Sequence, residues 1–108
     1  MEPLTRITAA TVDVLDALLA HPDHCWGLLA IKRSGRPAGT VYPVLDRLEQ
    51  AGWVESHWED SNDRSGPRRR YYRLTGEGAP QAVSTVSEFR ERSRRPAVAP
   101  ALRPGLAS

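Results

Sequence analysis

The segment from Gly39 to Gly52 constrains the fold more than any other part of the chain. Its apolar residues recur at offsets of three and four, which places them on one face of an amphipathic helix: Val41, Val44, Leu45, Leu48 and Ala51. Gly52 predicts the end of that helix, because glycine readily adopts the left-handed conformation found there. An arginine-rich stretch with the pattern of a hairpin follows closely. A helix followed by a hairpin with a basic tip is typical of a winged helix-turn-helix.

Two helices are predicted before this segment. Apolar spacing predicts the first over roughly 8–20, and Pro22 prevents its continuation. The second is predicted over 26–34 and ends at Gly35, which opens a turn over residues 35–39.

The start of the third helix has two interpretations. If Thr40 is the N-cap, Pro43 lies in the first turn, where its missing N–H costs little. If the helix begins near Pro37, Pro43 removes one hydrogen bond and bends the axis.

The second half of the chain predicts a hairpin and one more helix. Residues 53–59 and 69–75 have strand character, and the polar residues 60–67 between them form the turn. A fourth helix is predicted within 76–95, with an apolar stripe at Ala79, Ala82, Val83, Val86 and Phe89. Residues 96–108, rich in Pro, Ala and Gly, are predicted to be a disordered tail. The predicted fold class is mainly α with a β-hairpin, a winged helix-turn-helix over 4–75.

Charge is distributed unevenly along the chain. Residues 1–59 carry five Lys/Arg and eight Asp/Glu, whereas residues 60–108 carry ten Arg and five acids. Five arginines fall within the acid-free stretch 64–73. Such local asymmetry favours an anionic partner, and with the predicted fold it points to double-stranded DNA.

The third helix would then be the recognition helix, the one that enters the major groove. Its N-terminal end carries positive partial charge and small or polar residues that allow close approach to phosphate. The predicted DNA-binding residues of this helix are Ala38, Gly39, Thr40, Tyr42 and Arg47. Those of the wing, which would neutralise phosphates, are Arg64, Arg68, Arg69 and Arg70.

These residues also carry a family resemblance. The Gly39-Thr40-Val41-Tyr42-Pro43-Val44-Leu45 and Arg70-Tyr71-Tyr72-Arg73-Leu74-Thr75 segments, with Trp26-Gly27 and Gly52-Trp53, resemble the PadR family of bacterial transcriptional regulators over about residues 4–90. The resemblance implies a homodimeric repressor that binds a palindromic operator and is released by a small hydrophobic or aromatic effector. The C-terminal part has room for one helix only, so the chain resembles the small subgroup of the family with a single C-terminal helix. The resemblance implies that this helix, over 76–95, is a dimerisation helix through the stripe given above. Trp26 stands where a tyrosine is usual.

Other site types are not favoured. His21, His24, Cys25 and His57 match no tetrahedral zinc spacing, so we expect no metal and no cofactor. No catalytic arrangement has a local signature, so we expect no enzyme. We interpret Trp26 as a core residue and Trp53 and Trp58 as anchors of the wing.

The sequence also predicts the cellular location and the class of partner. With one cysteine, no apolar run long enough to span a membrane and no signal-peptide pattern, we expect a soluble, cytoplasmic protein without a membrane partner. Two alternatives stay open: a winged-helix module that binds a protein instead of DNA, and a metal-responsive repressor.

Overall fold

The computed structural model describes residues 1–60 and 66–94 and confirms the predicted fold class. Its elements, in chain order, are α1 (Ala9–Ala20), β1 (Cys25–Trp26), α2 (Gly27–Ser34), α3 (Ala38–Gln50), β2 (Val54–Trp58), β3 (Arg70–Leu74) and α4 (Gly78–Arg94). Within the described ranges, no helix is long and apolar enough to cross a membrane.

The three strands form one antiparallel sheet in the order β1-β3-β2. Tyr71 pairs with His57 on one side and with Trp26 on the other. Strand β1 was not predicted from the sequence, where Trp26 was assigned to the start of the second helix. Two residues carry no detectable alternation, and this short strand exists only because β3 lies beside it.

Helix α3 begins at Ala38 with Pro37 as its N-cap, so the second interpretation of its start is the one observed. The backbone N–H groups of Thr40 and Val41 donate to the Pro37 carbonyl at 2.9 and 3.0 Å. Pro43 therefore lies inside the helix, and because it has no N–H, the carbonyl of Gly39 lacks its usual helical donor.

Helix α3 ends in a Schellman motif, at the glycine that the sequence predicted as its end. Gly52 has φ +84°, its N–H donates to the Glu49 carbonyl at 3.1 Å, and the Trp53 N–H donates to the Leu48 carbonyl at 2.9 Å. Trp53 and Leu48 are both fully buried, so the turn out of α3 also contributes to the core.

The core lies where α1 contacts the other three helices. Its largest fully buried side chains are Trp53, Leu15, Leu18, Leu45, Leu48, Val14, Val41 and Cys25. The interpretation of the tryptophans needs correction, because Trp53, interpreted as an anchor of the wing, is a core residue. Trp26 is only half-buried and lies on the sheet, and Trp58 is 55% exposed on β2.

Helix α4 packs on α1 of the same chain. Of its apolar stripe, Ala82 and Val86 are buried in this core, Ala79 and Phe89 are half-buried, and Val83 is 54% exposed. The Thr75 hydroxyl accepts from the Gly78 N–H at 2.9 Å and donates to the Gly52 carbonyl at 2.9 Å, which ties the start of α4 to the end of α3.

Candidate nucleic-acid interface

One side of α3 is buried and the other is open to solvent. Val41, Val44, Leu45 and Leu48 face the core. Ala38, Gly39, Tyr42, Pro43, Asp46 and Arg47 are exposed, and Thr40 is half-buried. The predicted recognition-helix residues thus occupy one accessible surface. Asp46 and Arg47 carry opposite charges there, so this face of the helix is close to neutral.

The side chain of Tyr42 packs against the start of α2. A β-carbon built on Gly27 would lie 2.7 Å from Cε1 and Cζ of the Tyr42 ring and closer still to its hydroxyl oxygen. The absence of a side chain at Gly27 therefore leaves room for the tyrosine of the neighbouring helix. The ring is still 42% exposed, so its position is set by α2 while one side stays accessible.

Consecutive arginines of the wing point to opposite faces of the sheet, because side chains alternate along a strand. The guanidinium of Arg69 stacks on the Trp26 ring, with its Cζ 3.6 Å from the ring centroid. Arg70 turns to the other face, toward α3. Arg68 is exposed near the hairpin tip. Arg64 was also predicted to bind DNA, and it lies outside the described residues.

Arg70 is held by a hydrogen-bonded cluster with Glu49 of α3 and Ser56 of β2. The Ser56 hydroxyl donates to Glu49 Oε2 at 2.6 Å and accepts from Arg70 Nε at 3.1 Å and Nη2 at 2.9 Å. Arg70 Nη2 also lies 3.4 Å from Glu49 Oε1. This cluster connects the recognition helix with the wing and neutralises the Arg70 charge locally.

Sequence reasoning missed several residues that shape this surface. Gly27, Glu49 and Ser56 act through packing and hydrogen bonds that no local pattern reveals. Lys32 and Arg33, by contrast, are exposed in the last turn of α2, beside the turn into α3, and a charge count of that helix would have found them. Arg36 in the same turn is paired with Asp13 at 2.9 Å.

The histidine and cysteine residues form no ligand set. Among residues 1–60 and 66–94, no group of three or more His, Cys, Asp or Glu could hold a metal ion. His24 and His57 instead flank the Tyr71 ring, at centroid distances of 5.8 and 5.7 Å. Cys25 is buried, and this burial raises the pKa of its thiol to about 11.

Three helices, a three-stranded sheet with a basic hairpin and an exposed face on the second turn-linked helix define a winged helix-turn-helix protein. The profile of the transcriptional regulator PadR-like family matches residues 20–83. The chain belongs to this family, so the resemblance stated from the sequence is confirmed.

Solved structures similar to this chain include a member of this family and other proteins of the same fold. A PadR family transcription regulator from Clostridium difficile is 29% identical, with a TM-score of 0.61 over 77% of this chain and 91% of that one. The PcaV transcriptional regulator from Streptomyces coelicolor, solved with its natural ligand, is 25% identical, with a TM-score of 0.70 over 89% of this chain. The match spans 64% of the length of PcaV. A variant of MepR from S. aureus is 25% identical, with a TM-score of 0.64 over 82% of this chain and 62% of that one. A comparison with curated proteins gave no match.

Proposed function

We propose that this PadR-like regulator is a homodimeric repressor that binds a palindromic operator through α3 and the wing and is released by a small effector. The observation that carries the proposal is the exposed, nearly neutral N-terminal half of α3 beside a wing whose arginines outnumber its acids. Acting together, the helix would read base edges and the wing would supply attraction to phosphates.

The recognition helix is suited to reading because its exposed end has few bulky or charged groups. Ala38 and Gly39 allow the backbone N–H groups at the start of α3 to approach a phosphate, where the helix dipole favours negative charge. Thr40 and Tyr42 offer hydroxyl groups, and Arg47 a guanidinium, to phosphates or base edges.

Dimerisation is proposed through the accessible side of α4. Val83 is the exposed apolar residue of the stripe, with Ala79 one turn before it on the same side. Ala82 and Val86 would support this contact from behind, since they hold α4 against α1. We propose the units accordingly: residues 4–75 bind DNA, the helix within 76–95 dimerises, and 96–108 is a tail that lies outside the described residues.

Effector release is supported by a groove and by a neighbour. A groove of about 610 Å³ lies between the N-terminal segment, α1 and α3, with Leu4, Val44 and Leu48 as apolar lining and Arg6 and Arg47 among its polar lining. PcaV was solved with a natural ligand. A small hydrophobic or aromatic compound in this groove would contact Arg47 and the buried side of α3, and would therefore compete with DNA for the same helix.

The test is binding to DNA from upstream of the chain's own gene, measured by gel shift at several salt concentrations. We expect the logarithm of the association constant to fall linearly with the logarithm of salt concentration, with a slope near 0.9 per neutralised phosphate. Thr40→Ala and Tyr42→Ala should weaken binding to the operator more than to an unrelated duplex. Equal losses on both duplexes would place base reading elsewhere.

The alternative of a protein-binding module predicts a different result. The exposed face of α3 would then contact a partner protein through Tyr42 and Asp46. The affinity for any duplex would be no higher than the nonspecific affinity of a basic protein surface. Size measurement in solution adds an independent check: a monomer for the unmodified chain, or a Val83→Glu variant that stays dimeric, would contradict the proposed dimer contact.

A further inference from the structure

We infer that Trp26 is a positioning residue that holds Arg69 ready for a DNA phosphate, and that Arg69, unlike its neighbour Arg70, is the preorganised phosphate-binding arginine of the wing. This inference rests on the proposed DNA binding. It assigns a role to an aromatic side chain of β1, a strand that lies outside both the recognition helix and the hairpin.

The register of the sheet brings the two side chains together. Trp26 pairs with Tyr71 on β3, and Arg69 lies two residues before Tyr71, so Trp26 and Arg69 are diagonal neighbours on one face. The Arg69 backbone is fixed at this place by two hydrogen bonds with Glu59. The Glu59 N–H donates to the Arg69 carbonyl at 2.8 Å, and the Arg69 N–H donates to Glu59 Oε1 at 3.2 Å.

A cation–π contact does not use the hydrogen-bond donors of the guanidinium. The Arg69 Cζ lies over the Trp26 ring, 3.6 Å from its centroid. A guanidinium that stacks on an aromatic ring carries its N–H donors around its edge, where they are available to other partners. Its Nε is buried, and within residues 1–60 and 66–94 it has no hydrogen-bond partner. A donor covered from water without a partner has a free-energy cost, and a movement of the side chain that brings Nε to a phosphate oxygen would remove it.

Arg70 also lies near aromatic rings, 5.6 Å from that of Trp58 and 5.7 Å from that of Tyr72, but its hydrogen-bond donors are occupied. Its guanidinium is bonded to Ser56 and Glu49, so moving it to a phosphate would break those bonds and expose an acid at the interface. Within residues 1–60 and 66–94 the Arg69 Nε has no partner, so moving it toward a phosphate would break no hydrogen bond of that donor. Because its side chain is already ordered by the ring, little additional side-chain entropy is lost when a phosphate binds.

The inference is tested with a thermodynamic cycle on DNA affinity, using Trp26→Ala, Arg69→Ala and the double variant with a random-sequence duplex of roughly three helical turns. Phosphate contacts carry no sequence information, so this probe is sufficient. Trp26→Ala should weaken binding about two- to five-fold, the size expected of a cation–π contact. In the Arg69→Ala background the same change should have no effect, because nothing remains to be positioned. Trp26→Phe, which keeps a ring, should recover most of the affinity.

Trp58→Ala is the matched control, since Trp58 lies on the same sheet but next to Arg70, with 5.6 Å between its ring and that guanidinium. Its effect should be the same with and without Arg69. Equal losses from Trp26→Ala in both backgrounds would show a purely structural role and overturn the inference. If the unmodified chain bound no duplex at all, the proposed function would fall as well, so the two failures are distinguishable.

A second measurement needs no DNA and keeps the geometry testable if Trp26→Ala folds poorly. In a nitrogen-15 NMR spectrum, the Arg69 Nε–H should show an upfield ring-current shift and slow exchange with water. Both should be retained in Trp26→Phe. An Arg69 Nε–H that exchanges as fast as that of the exposed Arg68 would overturn the inference.

Discussion

Glu49 of α3 and Arg70 of β3 form an ion pair across the junction between the recognition helix and the wing, with 3.4 Å between Oε1 and Nη2. Ser56 of β2 lies between them and bonds to both. Three elements are joined by these side chains, so the orientation of the hairpin relative to α3 depends on this cluster as well as on the apolar core.

Arg70→Ala should therefore affect folding more than phosphate attraction. We expect the free energy of unfolding, measured by urea denaturation, to fall by about 0.5–1 kcal/mol, because the pair is partly exposed and screened. The salt slope of DNA binding should stay unchanged, since the Arg70 charge is already paired with Glu49. Arg68→Ala, by comparison, should reduce the slope by about 0.9 for each phosphate that Arg68 neutralises. A lower slope for Arg70→Ala would instead place Arg70 on a phosphate.

Arg73→Ala is the matched control for this prediction. Arg73 pairs with Glu55 at 2.8 Å, but both residues are about half exposed and belong to the hairpin alone. Its removal should cost less than about 0.5 kcal/mol, as for most exposed pairs. If Arg70→Ala and Arg73→Ala lower the free energy of unfolding equally, the link between Arg70 and α3 adds no stability.

Gly27→Ala should displace Tyr42, whose ring and hydroxyl occupy the space next to Gly27. Because Tyr42 is a surface side chain that can rotate away, the loss of stability should stay below about 1 kcal/mol. DNA affinity should fall, since the Tyr42 side chain would no longer be held in its orientation against α2. In a Tyr42→Ala background Gly27→Ala should change affinity no further, and an additional loss there would contradict this coupling.

Gly78→Ala provides the contrast, because its added β-carbon would meet backbone. The carbonyl carbon of Trp53 would lie 2.7 Å away and its oxygen closer. A backbone carbonyl cannot rotate aside, so we expect a loss of about 2–3 kcal/mol, of the size found for overpacked cores. Thermal unfolding of the two variants, followed by circular dichroism, would measure the difference, and equal melting temperatures would contradict it.

Gly39→Ala should separate stability from binding. Gly39 lies in the first turn of α3 with open space around it, so alanine should stabilise the fold by about 0.5–1 kcal/mol. The added methyl group should also stand between the helix end and a phosphate and weaken DNA binding. A more stable variant with unchanged affinity would show that this end of α3 does not approach DNA.

The helices and the hairpin could be predicted from the sequence because their patterns are local. Apolar offsets of three and four indicated α1 and α3, and Gly35 and Gly52, both with positive φ, marked the ends of α2 and α3. The start of α3 could not be decided from the sequence. The cost of placing Pro43 inside a helix can be judged from the local sequence, but the packing of Val41 and Leu45 that offsets this cost depends on tertiary contacts.

The candidate site was harder to predict because its residues are distinguished by tertiary contacts. In the sequence, Arg69 and Arg70 are equivalent members of one basic run. Only the register with β1 and β2 shows that one stacks on Trp26 and the other bonds to Glu49. The stripe of α4 has the same ambiguity, since periodicity cannot tell a side chain such as Ala82, which faces the chain's own core, from one such as Val83, which faces outward.

The buried thiol of Cys25 makes stability depend on alkaline pH. Its pKa is raised from 9.0 to about 11 by burial, so the folded chain keeps this proton where the unfolded chain loses it. The contribution of this thiol to the free energy of unfolding is fully present below pH 9 and is lost as pH rises toward 11. The loss of stability reaches about 2–3 kcal/mol. Urea denaturation on either side of pH 9 should show this loss in the unmodified chain. Cys25→Ala should lose less over the same interval, and an equal loss in both would mean that other groups cause it.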